Sequence, residues 1–387
     1  MNVTEMKTIY LDNGATSFPK PACVAESINN YICNVGATIN RSVYKSASDA
    51  GLVTYALRER LCRLFNFDDP RHVVLTAGNT MAMNMIIKGF LKPGDHVIVS
   101  SMEHNAVMRP LVQLEAKGIS FDRIPSDKDG IAKIDEIPCL FKENTKLVIV
   151  NHASNVGGGL QDIVAIGRIC EEKGVPFVVD GAQSAGHYPL DFKAAKLSAL
   201  TVPAHKGLLG PQGIGALLMT PEFASKVDPL VTGGTGSASD SEIQPDYMPD
   251  RFESGTSNMP GIYGFEASTR FIEETGIDAI RRHEIALTAR FIEGLDKIPG
   301  LRIVGPKSLE NRVGVVSVDC LEEDNAEVAY ALETEYGILT RCGLHCAPSA
   351  HKTLGTFPQG VIRFSLSWFN TEEDVDAAIG ALIELLS

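Results

Sequence analysis

Between about residues 70 and 220 the sequence alternates short β-branched runs with longer segments of helical period, and few folds accept that pattern. The strand-like runs are HVVLTAG (72–78), DHVIVSS (95–101), KLVIVNHAS (146–154), PFVVDGAQ (176–183) and IGALLM (214–219). Between them, NTMAMNMIIKGF (79–90) and LQDIVAIGRICEEKG (160–174) place apolar residues at i, i+3, i+4 and i+7, and the second closes on Lys173 and Gly174. Alternating strands and helices predict an α/β fold with a mostly parallel central sheet sandwiched by helices. Ligands of such sheets bind beyond the carboxyl ends of the strands.

The glycine-rich stretch 231–261 reads as one long irregular segment, and loops of that length are usually functional. The last third changes character. A helix near 275–297 precedes strand-like LRIVG, VGVVSV and VIRFSLSW, and Asn370-Thr371 opens a final helix, which together predict a smaller α+β domain. The expected division is a large domain over 16–262 and a small one over 263–387, with segment 1–15 packing on the latter. With 35 basic and 48 acidic side chains the net charge is −13, which argues against nucleic-acid or anionic-membrane partners but leaves room for one small anionic ligand. No run of 18 apolar residues exists, and MNVTEMKTIYLDNG lacks a basic-then-apolar leader, so a cytoplasmic chain with free, mostly buried cysteines is expected.

Asp180 ends a run too apolar to favour a carboxylate, and Lys206 follows 26 residues later, before a glycine-rich stretch. One task for such a pair is to hold a pyridine aldehyde: a lysine amine condenses with the aldehyde while a carboxylate keeps the ring nitrogen protonated. On spacing alone, a helix-capping aspartate and a surface lysine are the commoner explanation. The surroundings shift the balance. LTAGNTMAMN (75–84) is a strand, a glycine turn and a helix start, the arrangement that binds phosphate. His104 and Asn155 follow two further strands, so four strand ends would each present a ligand at one edge.

The ordered motifs LDNGATSFPKP, TAGNT, EHN, ASNVGG, DGAQS, HKGLLGPQGIG, FESGTSN, RCGLHCA and IRFSLSWFNT resemble the pyridoxal-phosphate cysteine desulfurases and selenocysteine lyases, members of the class V aminotransferase superfamily of fold-type I, from about residue 9 to 385. The resemblance implies pyridoxal 5′-phosphate as cofactor. Lys206 would bond its aldehyde and Asp180 its pyridinium nitrogen. Gln183 would reach the phenolic oxygen, and His104 would stack on the ring. Gly78, Asn79, Thr80 and His205 would hold the phosphate, with Thr256 reaching the phosphate bound by the other subunit of a homodimer. Asn155, Arg341 and Arg363 would take the carboxylate of an amino-acid substrate. Cys346 would accept the sulfur as a persulfide, with Arg341 and His345 favouring its thiolate. Two positions before His205, where the family has Ser or Thr, stands Pro203, and Asn79 stands where threonine is commoner.

Cys346 lies 17 residues before Arg363 in a short R-x-G-x-H-C-A segment, which resembles the second group of the family and implies a protein acceptor that brings its own cysteine. The competing reading is a class V aminotransferase or epimerase in which Cys346 is not catalytic. Cys342, four residues before Cys346, suggests either a disulfide with it or a persulfide relay; no second CxxC pair completes a metal site.

Overall fold

The computed structural model describes residues 8–39 and 44–387, so residues 1–7 of the expected N-terminal segment lie outside the described residues. The strands are β1 (Ile9–Tyr10), β2 (Val73–Thr76), β3 (His96–Ser100), β4 (Ser120–Ile124), β5 (Thr145–Asn151), β6 (Phe177–Asp180), β7 (Ala199–Pro203) and β8 (Gly215–Met219) in the first two thirds. β9 (Leu301–Val304), β10 (Val315–Cys320), β11 (Ile338–Leu339), β12 (Arg341–Gly343) and β13 (Val361–Ser365) follow. The helices are α1 (Ala22–Asn30), α2 (Lys45–Phe65), α3 (Asn79–Phe90), α4 (Asn105–Glu115), α5 (Ile163–Lys173) and α6 (Pro221–Ser225). They continue with α7 (Met259–Thr275), α8 (Ile277–Leu295), α9 (Asn325–Tyr336), α10 (Pro348–Leu354) and α11 (Glu372–Leu385). None of the described helices is long and apolar enough to cross a membrane.

Seven strands form the central sheet in the order β2-β8-β7-β6-β5-β3-β4. β3, β4, β5, β6 and β7 pair in parallel, while β8 runs antiparallel to both β7 and β2. Side chains alternate across the sheet, as strand geometry requires. Val97, Val99, Leu147, Ile149 and Val178 pack with Met83, Ile86, Val107 and Leu111 of α3 and α4 on one face. Ile98, Val148, Val150 and Val179 pack with Leu57, Leu61, Ile166 and Phe265 on the other. With both faces covered by helices, the polar residues Ser100, Asn151 and Asp180 collect at the carboxyl ends of β3, β5 and β6.

The smaller sheet is antiparallel throughout, in the order β12-β13-β10-β9, and its core joins Val316, Val318, Ile362 and Phe364 to Phe291, Leu332 and Leu382 of the flanking helices. α11 opens with a capping box in which Thr371 and Asp374 exchange hydrogen bonds, as Asn370-Thr371 foretold. The chain from β1 onward stitches the two sheets together: β1 pairs with β11, Ser365 N–H donates to Leu11 O (2.7 Å), and Ser17 N–H donates to His205 O (2.9 Å). Residues 231–258 contain no helix or strand, close to the expected irregular segment, and α7 then begins at Met259 and runs across position 262.

Candidate active site

The carboxyl ends of β2, β3, β5 and β6 and the turn after β7 surround a cavity of about 420 Å3, within the usual range for ligand sites. Lys206, Asp180, His104, Asn155, Cys346 and Arg363 all line it. So do Gly78, Asn79, Thr80, Gln183, His205 and Arg341. Thr256 does not. It is exposed and lines a neighbouring cavity of about 320 Å3 that shares Ala77, Met81 and Gly213 with the first.

The floor is electrostatically polarised. Burial pushes the Asp180 carboxyl up, and the Ala182 N–H, Lys206 and Asn79 pull it back. Ala182 N–H and Asn79 Nδ2 both donate to Asp180 Oδ1, each at 2.9 Å, so Oδ2 is the oxygen left to face a ligand. Desolvation lowers the Lys206 amine to about 8, with the Asp180 charge opposing and the Arg363 and Arg341 charges assisting. Burial, aided by the Asp180 charge, raises Glu103 to about 8 against the hydrogen bonds it accepts from Ser100 Oγ (2.6 Å) and Asn151 N–H (2.7 Å). Burial thus works against charge on both carboxyls, and Asp180 is the one with a lysine charge and two hydrogen bonds that favour its ionised form. His104 caps α4 by accepting the Ala106 N–H on Nδ1 (3.0 Å), and burial plus the Lys206 charge lower it to about 4. The neutral ring thus keeps its proton on Nε2.

At the other end, α3 starts without a side-chain cap on Gly78, whose φ is 137°. A Cβ there would meet nothing within 4 Å, so the turn borders a hollow at a helix N-terminus, the place where an anion is best received. His205 Nδ1 is buried without a partner, and its carbonyl accepts from Lys20 Nζ (2.8 Å), Thr16 Oγ1 (3.1 Å) and Ser17 N–H (2.9 Å). Pro203, the last residue of β7, is held by the ladder opposite Gly215 and offers only its ring to the cavity.

The opposite wall comes from the small sheet. Arg341 and Arg363 are register partners on β12 and β13. Arg363 is buried, with NH2 on Asp12 Oδ1 (2.7 Å), NH1 on the Asn155 carbonyl (3.2 Å) and Nε without a partner. Arg341 is exposed at the mouth. Asn155 donates Nδ2 to His345 O (2.7 Å), while its Oδ1 is buried and unpartnered. Burial and the neighbouring Arg363 charge drive His345 down to about 2, so of the two ways expected for it to favour the Cys346 thiolate, as a cation or as a donor, only the donor is left. The neutral ring lies near Val361 O and His351 instead. Arg341 shares the cavity lining with Cys346. Exposure alone does not single out that cysteine, since Cys33 and Cys139 are exposed too, contrary to the expectation of mostly buried thiols. Cys342 faces the small-sheet core and not the cavity, which removes the geometric basis for a relay.

The family model described as Aminotransferase class-V matches residues 9–378. The chain belongs to that family. Among curated relatives of this class-V aminotransferase, a probable cysteine desulfurase of Pyrococcus abyssi is 33% identical over 98% of this chain and 94% of its own length. A cysteine desulfurase of Cronobacter sakazakii is 32% identical over 97% and 93%. Among solved structures, an apo cysteine desulfurase of Thermococcus onnurineus superposes with a TM-score of 0.92 at 32% identity, covering 98% of this chain and 94% of that one. A cysteine desulfurase (S-sulfonic acid) of Escherichia coli gives 0.87 at 28% identity, covering 98% and 96%.

Four residues of this class-V chain take part without having been anticipated as site residues. Asp12 occupies one arm of Arg363, Glu103 lies behind Asp180, Asn151 lines the cavity, and Lys20 braces the carbonyl of His205. Asp12, Glu103 and Lys20 stand inside the quoted motifs LDN, EHN and SFPKP, which was the available signal. Asn79 was expected at the phosphate, yet its amide is spent on Asp180.

Proposed function

We propose that this member of the class-V aminotransferase family is a pyridoxal 5′-phosphate-dependent cysteine desulfurase, converting L-cysteine to L-alanine and leaving the sulfur on Cys346 as a persulfide. The observation that carries the reading is that Lys206, Asp180 and Cys346 line one cavity. The residues fit the cofactor. Asn79 Oδ1, Asn155 Oδ1 and His205 Nδ1 are buried polar atoms that lack partners, as expected of a site completed by a ligand, and the hollow at Gly78 suits a phosphate. Lys206 would hold the aldehyde, Asp180 the ring nitrogen, His104 the ring face, Gln183 the phenolic oxygen, and Gly78, Asn79 (through its backbone), Thr80 and His205 the phosphate. When bound, the cofactor supplies an electron sink for the substrate α-carbon.

The chain's own groups do the rest. Arg363 and Arg341, with Asn155, orient the substrate carboxylate. Lys206 Nζ, its pKa lowered to about 8, takes the α-proton, because a desolvated amine is close to half neutral near that pH. Asp180 would turn its free Oδ2 to accept the ring N–H, and Asn79, by holding Oδ1, fixes that orientation. The Cys346 thiolate then attacks the substrate sulfur. The C–S bond breaks, an S–S bond forms, the electron pair left on the substrate β-carbon takes a proton, and return of a proton to the α-carbon completes alanine. Selenocysteine offers the analogous C–Se bond to the same groups.

Thr256 supports a homodimer in this proposal: it is exposed and outside its own Lys206 cavity, where a partner subunit's site could receive it. The short segment around Cys346 supports an acceptor protein that brings its own thiol. The division at 262/263 and a cytoplasmic location belong to the same proposal and rest on the sequence. The test is alanine release from L-cysteine with a reductant present. Cys346→Ala should lose it while keeping the cofactor's absorbance, and a variant that retains full release would return the chain to the aminotransferase or epimerase reading.

A further inference from the structure

Cys346 sits in a turn closed by Ala347 N–H donating to Leu344 O at 2.9 Å. Its two central residues both have positive φ, 47° at His345 and 57° at Cys346. Turns with that backbone usually carry Asn or Gly there, because a Cβ crowds the following carbonyl. Neither His nor Cys gains anything from the conformation by itself, so something outside the turn has to hold it.

Two donors do so, one on each central carbonyl. Asn155 Nδ2 reaches His345 O at 2.7 Å, and Asn105 N–H reaches Cys346 O at 2.8 Å. Both come from the carboxyl edge of the large sheet: Asn155 follows β5, and Asn105 is the first residue of α4, directly after His104. The Asn105 N–H is available because a helix's first N–H groups have no partner within the helix. The turn is therefore fastened across the cavity to the elements that carry the cofactor-side groups, and Arg363 NH1 on the Asn155 carbonyl ties the carboxylate site to the same point.

We propose that Asn105, through its backbone N–H, and Asn155, through its side-chain amide, are positioning residues that fix Cys346 toward the substrate sulfur. The inference rests on Cys346 being the sulfur acceptor. The two pins hold a backbone that would otherwise relax out of the left-handed region and carry the thiol away from the cavity. Their contribution falls on the sulfur-transfer step and not on cofactor capture.

Asn105→Pro tests this cleanly. Proline is well suited to the first helical position, and His104 before it is already extended (φ −75°, ψ 156°). The substitution removes the N–H that donates to Cys346 O. In the holoenzyme, kcat for alanine formation should fall about two- to tenfold, the worth of one hydrogen bond, with KM within about twofold and the cofactor spectrum unchanged. Amide exchange across 344–347 should accelerate by a similar factor. Asn155→Ala should accelerate the same exchange and also raise KM. Wild-type kcat and wild-type exchange in Asn105→Pro would overturn its role, and Asn155→Ala with a raised KM but unaltered exchange would overturn the second pin. Should the proline variant fail to fold, the exchange measured in Asn155→Ala decides. If instead Cys346→Ala retains full alanine release, it is the acceptor reading that fails and not the pinning.

Discussion

Asp180 ends a strand flanked by β5 and β7, under helices on both faces, whereas Cys346 follows β12, the outermost strand of a four-stranded sheet. The first wall of the cavity is buried and shifts the titration of what it holds: Asp180 and Glu103 are pushed up, Lys206 and His104 down. The second keeps the Cys346 thiol exposed in a left-handed turn held by two hydrogen bonds. The contrast fits the work that the proposed function gives each wall. A group that sets a cofactor's charge benefits from desolvation and rigidity, because fixed charges act most strongly where water is excluded. A thiol that must hand sulfur onward needs contact with the outside.

Three substitutions on the buried wall sharpen that contrast. Asp180→Asn keeps the shape but removes the negative charge, and turnover of L-cysteine should drop by about a hundredfold or more, measured as alanine formed by the holoenzyme. A loss below tenfold would mean that the carboxylate is not paired with the ring. Glu103→Gln comes next and reads out in stability. With a folded pKa of about 8 against a usual value of 4.5, folded Glu103 keeps a proton that the unfolded chain releases. Stability attributable to this group therefore falls as pH rises from about 5 to 8. The glutamine variant should gain on wild type in unfolding free energy across that window, by a difference of order a few kcal/mol, and a gap that stays constant with pH would contradict a buried neutral Glu103. Asn79→Ala should have the smallest effect. Losing its hydrogen bond to Asp180 costs about 1 kcal/mol, a few-fold in turnover, together with a shifted pH midpoint of the cofactor's absorbance. An unmoved midpoint would assign Asn79 to the phosphate, as its position in the motif first suggests.

The sequence showed the ends of β2, β3, β5 and β6 because those strands are apolar runs that stop at polar residues. It hid β4, an edge strand of sequence SFDRI with little apolar character, and β7, whose approach through DFKAAKLSAL has a helical composition. α7 was hidden by Pro260, Gly261 and Gly264, which read as loop. Gly264 is there for a packing reason: a Cβ would come within 2.8 Å of Ile28 on α1, so the helices approach too closely for a side chain. At the site, the residue types were visible but their partners were not. Asn79 and Asp180 follow strands separated by β8 and β7 in the sheet, and Asp12 lies 351 positions from Arg363. Such pairings depend on strand order, which no local pattern encodes.

The two walls meet in one reaction only if the lysine and the cysteine act on the same substrate molecule. Peptide mass spectrometry of the holoenzyme after incubation with L-cysteine, without reductant, measures this directly. The peptide carrying Cys346 should gain one sulfur atom in step with the alanine released, and the Lys206→Ala variant should gain none. Sulfur on Cys346 in the lysine variant, or alanine released from wild type with Cys346 unmodified, would show that the two walls do not share a substrate.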